Sequence, residues 1–184
     1  RERVGGRWPL CLVIEAADKE DMKRMREAGV SSFSADFEVW DEDIFNALCP
    51  GKARHIGREL WIKRILDSVD VMGEGNVIPC FVAGVELAQP YGFKDINSAL
   101  KSTTAGLEFF MSHGVLPKPI TWTVSSGSAL AGQEPPPLEY LVRLLVNWYD
   151  LWKKYRLPPF TGYGPMGPGR AIYYTSACND MADT

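Results

Sequence analysis

Val30-Ser31-Ser32-Phe33-Ser34-Ala35-Asp36-Phe37-Glu38-Val39 is the stretch on which the fold turns. Phe33, Ala35 and Phe37 alternate with Ser34, Asp36 and Glu38, the two-residue period of a β-strand, so Asp36 and Glu38 project to one face. Upstream, Leu10-Cys11-Leu12-Val13-Ile14 is a short continuous apolar run, the pattern of a strand buried on both faces of a parallel sheet, and it ends on Glu15. Between the two, Asp18 opens a polar helix with Met22, Met25 and Ala28 at helical spacing, and Gly29 closes it as a left-handed C-cap.

The alternation continues downstream. Asp41 begins a short helix carrying Ile44, Phe45 and Leu48, which Cys49-Pro50-Gly51 closes because proline cannot continue the hydrogen-bond ladder. A polar loop with Lys52, Arg54 and His55 is expected next. Leu60, Trp61, Ile65, Leu66, Val69 and Met72 then mark one face of a helix over residues 57–72, ended by Gly73-Glu74-Gly75. Residues 76–85 read as a third strand that finishes beside Glu86. Asp95 caps a helix running to about Gly114, residues 118–124 make a fourth strand, and a Ser125-Ser126-Gly127-Ser128 turn and a proline-rich bend at residues 135–137 follow it. The last helix spans residues 138–155 with Leu141, Leu144, Leu145, Trp148, Leu151 and Trp152 on its apolar side.

Four strands alternating with helices, without hairpin signals, predict parallel pairing through right-handed crossovers. The expected fold class is α/β, a partial TIM-type (β/α) barrel of about four units over residues 1–157 or an open doubly wound sheet. Residues 158–184, rich in Gly, Pro and Tyr, read as a C-terminal extension.

Composition narrows the function classes. The chain has 184 residues, a formal charge of -3, 46% hydrophobic and 23% charged residues, as one soluble globular domain would. No Lys/Arg block stands out, so neither nucleic acid nor a membrane surface is an expected partner. No apolar run reaches the roughly 20 residues of a membrane span, and the first residues lack a secretory core, so a cytoplasmic location is expected. Cys11, Cys49, Cys80 and Cys178 stand far apart without a CxxC pair, the spacing of free thiols rather than of a zinc site. The chain starts on Arg1 in the middle of an α/β pattern, which reads as a fragment.

In β/α barrels functional groups gather at the C-terminal ends of the strands. Glu15, Asp36, Glu38 and Glu86 all fall there, and the turn containing Ser126 supplies hydroxyls and amides at the fourth strand. Any one such carboxylate can equally cap a helix or meet a basic residue; it is the convergence of several that points to a site. Cys80 shares a face with Val82 and reads as a buried thiol. Of the two histidines, His55 lies near the candidate site and His113 at a helix end. The glycine-rich segment 162–170 lacks the Lys-Ser/Thr pair of a phosphate loop and is broken by prolines; Tyr163 and Arg170 are candidate substrate contacts on a flap.

Three of these motifs together resemble the later part of a radical S-adenosylmethionine (AdoMet) enzyme of the biotin synthase-like type. Asp36-Phe37-Glu38 looks like the strand-end motif that holds the AdoMet ribose. Arg58, in His55-Ile56-Gly57-Arg58-Glu59, looks like the arginine that contacts the AdoMet carboxylate. Val82-Ala83-Gly84-Val85-Glu86 looks like the turn against which adenine rests. The residue types suit those tasks: a cis-diol takes two acceptors on one face, a carboxylate takes a planar two-pronged donor, and an adenine face takes small or apolar neighbours. The resemblance covers about residues 10–155. It implies AdoMet and a [4Fe-4S] cluster in the intact protein, a 5'-deoxyadenosyl radical, and a small organic substrate from which hydrogen is taken. The family's CxxxCxxC cluster loop is absent from the chain, which the resemblance places, with the first two strands, upstream of Arg1.

Two other readings stay open on the sequence. One is a divalent-metal-dependent β/α lyase or aldolase with Glu15, Asp36 and Glu86 as ligands; the other is a non-catalytic partial barrel. In either case an unclosed sheet leaves strand edges exposed, and a homodimer through those edges is expected.

Overall fold

The computed structural model describes residues 10–158. Along the chain it has β1 (Cys11–Val13), α1 (Lys19–Glu27), β2 (Ser32–Ser34), α2 (Glu42–Leu48), α3 (Pro50–His55), α4 (Arg58–Met72), β3 (Cys80–Ala83), α5 (Ile96–Met111), β4 (Lys118–Thr121) and α6 (Leu138–Tyr155), with a 3-10 turn at Val85–Leu87. Asp18, Asp41 and Asp95 each accept the amide three residues on, at 2.9–3.0 Å, and so open α1, α2 and α5 as their residue types require.

β1 pairs parallel with β2, Cys11 opposite Ser32, and β3 pairs parallel with β4, Cys80 opposite Lys118. Isolated parallel bridges, Phe33 to Val77 and Glu38 to Phe81, join the two pairs. The strands therefore lie side by side in chain order, each connection carrying helix, as parallel neighbours demand. No helix among the described residues is long and apolar enough to cross a membrane.

The strands are shorter than their sequence patterns. Beyond Ser34 the regular ladder of β2 stops, because Asp36 Oδ1 takes the Cys80 amide at 3.2 Å, and the amides of Phe37 and Glu38 both converge on the Cys80 carbonyl at 2.9 and 3.0 Å. Side-chain alternation outlasts the ladder: Ala35, Phe37 and Val39 are buried while Asp36 and Glu38 are half-buried. β1 departs from its expected burial on both faces, since Leu10 is 44% and Val13 53% exposed; its described pairing is with β2 alone. The expected loop carrying Lys52, Arg54 and His55 is helix α3. Pro50 ends α2 and also starts α3, because at the first helical position its missing N–H is not needed and its fixed φ is helical.

The core lies between the strands and the helices. Phe37 is its centre, 5.3 Å from both Phe45 and Phe110 and 5.7 Å from Phe81, ring centre to ring centre. Trp40 packs over Gly106 of α5, where any Cβ would stand 2.6 Å from the indole. α6 is tied down by Trp148, whose Nε1 donates to the Pro117 carbonyl at 2.7 Å, and His113 sits at the end of α5 with Nδ1 2.7 Å from the Phe109 carbonyl.

Candidate functional site

Glu15, Asp36 and Glu38 come together in one recess of about 360 Å³ beyond the C-terminal ends of β1 and β2, with Val13, Ile14, Gly51, Lys52, His55 and Trp61 as its other walls. Strand ends deliver the acids; the α2–α3 corner and α4 close the side.

The two carboxylates just beyond β2 are held differently. Asp36 Oδ1 is fixed by the Cys80 amide and by Ser34 Oγ at 2.7 Å, while Ser34 Oγ also lies 2.6 Å from the Ile78 carbonyl. Glu38 has φ 74, a left-handed backbone that a glutamate rarely adopts. Its amide and carbonyl are nonetheless pinned to β3, the carbonyl accepting the Val82 amide at 2.8 Å. Lys52 Nζ donates to Glu38 Oε1 and to the Asp36 carbonyl, both at 2.5 Å, and stands 4.8 Å from the Trp61 ring centre. Each acid is thus anchored, Asp36 through Oδ1 and Glu38 through Oε1. Two oriented acceptors one strand period apart are what a vicinal diol needs.

The remaining candidates lie elsewhere. Arg58, with a side chain 12% exposed, turns its fork onto the Trp40 carbonyl at 2.6 Å and Glu59 at 2.8 Å, and its guanidinium stacks on Trp40 at 4.8 Å. It is not among the walls of the recess; its Nε is buried without a hydrogen-bond partner among the described residues. Glu86 is buried apart from the other acids. Its Oε2 accepts the Gly84 amide at 2.8 Å, and its Oε1 accepts the hydroxyls of Thr103 and Tyr140. Burial pushes its carboxyl up to about 7. Gly84 has φ 103, and the space its missing Cβ leaves is taken by Pro136. Val82 is half-buried beside Glu38, Ser126 is exposed in its turn, and Tyr163, Arg170 and Cys178 lie outside the described residues.

Glu15, Asp36 and Glu86 are therefore not gathered into one ligand set, and no group of three His, Cys, Asp or Glu residues spaced for a metal ion occurs among the described residues. Cys11, Cys49 and Cys80 are not in disulfides. Burial pushes the thiols of Cys49 and Cys80 up to about 11 and about 12, so both stay protonated. Lys52, Trp61 and the Thr103–Tyr140 pair are the residues that the sequence did not single out. Pro50 as a helix-starting residue was the available signal for Lys52; Thr103 and Tyr140 carry none, since they meet Glu86 only across the packed α5–α6 pair.

No family model matches the chain, and no solved structure matches it. It is similar to bacteriochlorophyllide c C-7(1)-hydroxylase of Chlorobaculum limnaeum, 29% identical over 139 residues, which cover 76% of this chain and 32% of that protein. The chain spans about a third of the length of that relative.

Proposed function

We propose that this chain forms the nucleoside-binding part of a radical AdoMet enzyme, its four parallel strands belonging to the wall of a (β/α) barrel. The observation that carries the reading is the Asp36/Glu38 pair: two carboxylates at one strand end, each anchored through one oxygen and both lining the same recess. The second oxygen of each would accept one ribose hydroxyl. Val82, next to Glu38 along the rim, offers an apolar surface for adenine, and Glu86 acts from behind it by holding the Gly84 turn to α5 and α6. Arg58 would meet the AdoMet carboxylate only by releasing Trp40 and Glu59, and its unsatisfied Nε favours such an acceptor.

The likeness to a hydroxylase points the same way. Hydroxylation at carbon exchanges a C–H for a C–OH bond, and when bound, AdoMet with its cluster supplies a radical that takes a hydrogen atom from carbon. The cluster does not fit these residues. The 184 residues contain no CxxxCxxC, so the iron–sulfur ligands of this reading belong to other sequence. The lyase or aldolase reading loses its geometry with the separation of Glu86 from Glu15 and Asp36.

Calorimetric titration of the full chain with AdoMet and with 5'-methylthioadenosine tests the proposal. Both should bind in the same recess, and D36N and E38Q should each weaken binding by about tenfold, the loss of one charge-assisted hydrogen bond. Absence of binding to wild type at millimolar ligand, or unchanged affinity in both variants, would overturn it.

A further inference from the structure

We infer that Lys52 is the positioning residue that gives the recess its preference for ribose over deoxyribose. The inference rests on the nucleoside reading above. Glu38 reaches the recess from a backbone twisted to φ 74, and its side chain is 27% exposed, so the main chain alone leaves the carboxylate free to swing into solvent. Lys52 removes that freedom. Its ammonium has three N–H donors; two go to Glu38 Oε1 and to the Asp36 carbonyl, each at 2.5 Å. The Trp61 ring, 4.8 Å away, backs the cation on another side.

The same lysine answers a charge problem. Glu15, Asp36 and Glu38 crowd three acids around a recess of about 360 Å³, and like charges this close repel one another. Lys52 is a cation bonded to this cluster, and it contacts the backbone of Asp36 and the carboxylate of Glu38. It therefore fixes the Glu38 carboxylate relative to the Asp36 main chain, whose own carboxylate Ser34 and the Cys80 amide hold. A vicinal diol reads that placement; a sugar lacking one hydroxyl does not. Lys52 touches no ligand in this account and acts through Glu38.

The test measures Kd for 5'-methylthioadenosine and for its 2'-deoxy and 3'-deoxy counterparts in wild type, K52M, K52R and E38Q. Wild type should prefer the ribose form by about tenfold. In K52M the ribose form and the deoxy form that keeps the hydroxyl facing Glu38 should weaken by about tenfold, with the deoxy form lacking that hydroxyl changing less than about twofold, so that the ratio against the latter collapses to that of E38Q. K52R, which keeps a cation of similar reach, should restore most of it. Where K52M fails to fold by circular dichroism, K52Q, whose amide is too short to reach Glu38, carries the same expectation. A variant that weakens all three ligands equally makes Lys52 a fold support only, and one that keeps all three wild-type affinities removes it from the site; either result overturns the inference while wild-type binding upholds the nucleoside reading. Wild type that binds none of the three ligands overturns the nucleoside reading and the role of Lys52 together.

Discussion

Glu86 accepts bonds from Gly84, Thr103 and Tyr140 and so joins the end of β3 to α5 and α6 through one carboxylate. A carboxylate this deep is costly when ionised, and burial outweighs the donors that favour the charged form, leaving it near 7 against an ordinary 4.5. Between those two values the folded chain keeps a proton that the unfolded chain has released, so stability declines as pH rises from 4.5 to about 7, by on the order of 3 kcal/mol in all. E86Q, which can accept from Gly84 and donate to Thr103 or Tyr140, should fold and should lose this part of the pH dependence. Thermal melts at pH 5 and pH 7.5 check it; an unaltered slope in E86Q would assign the effect to another group. Asp36 and Glu38 were legible in the sequence because a strand's side chains alternate whatever surrounds them. The isolation of Glu86 was not, since its partners come from helices 17 and 54 positions away.

At the scale of elements, the helices were readable and the strands only in part. α6 runs over the residues its apolar periodicity marks, because one helix face repeats locally every 3.6 residues. A strand's length depends on a partner's register, and at β2 the Asp36 side chain interrupts that register. α3 was read as loop because Pro50 signals both the end of one helix and the start of another, and packing of the α2–α3 corner decides for both. Close packing of elements gives a sharper expectation at Gly106. A methyl there would stand 2.6 to 2.7 Å from three atoms of Trp40, and Trp40 is also packed by Phe109, at 5.2 Å, and by Arg58. G106A should therefore destabilise the chain by about 1–3 kcal/mol in urea denaturation, despite alanine's better helix propensity. A neutral or stabilising G106A would mean that Trp40 moves freely.

At the scale of the whole molecule, the described strands stack in chain order and β1 stands at one side with Leu10, Val13 and Ile14 37 to 53% exposed. An apolar strand at the side of a sheet is a template for another strand. The 184-residue chain on its own should therefore self-associate with rising concentration in analytical ultracentrifugation, and V13K should shift it toward monomer; a wild type that stays monomeric at high concentration counts against an open edge. The sequence by itself determined the alternation of strand and helix, the caps at Asp18, Asp41 and Asp95, and the placing of Asp36 and Glu38 on one face, because each of these is a relation between residues a few positions apart. Tertiary structure alone decided that Lys52 stands between those acids, that Arg58 turns to Trp40, and that Glu86 is buried away from them. Such choices depend on which side chains from distant segments meet and which of them lose water when they do, and no local period records that.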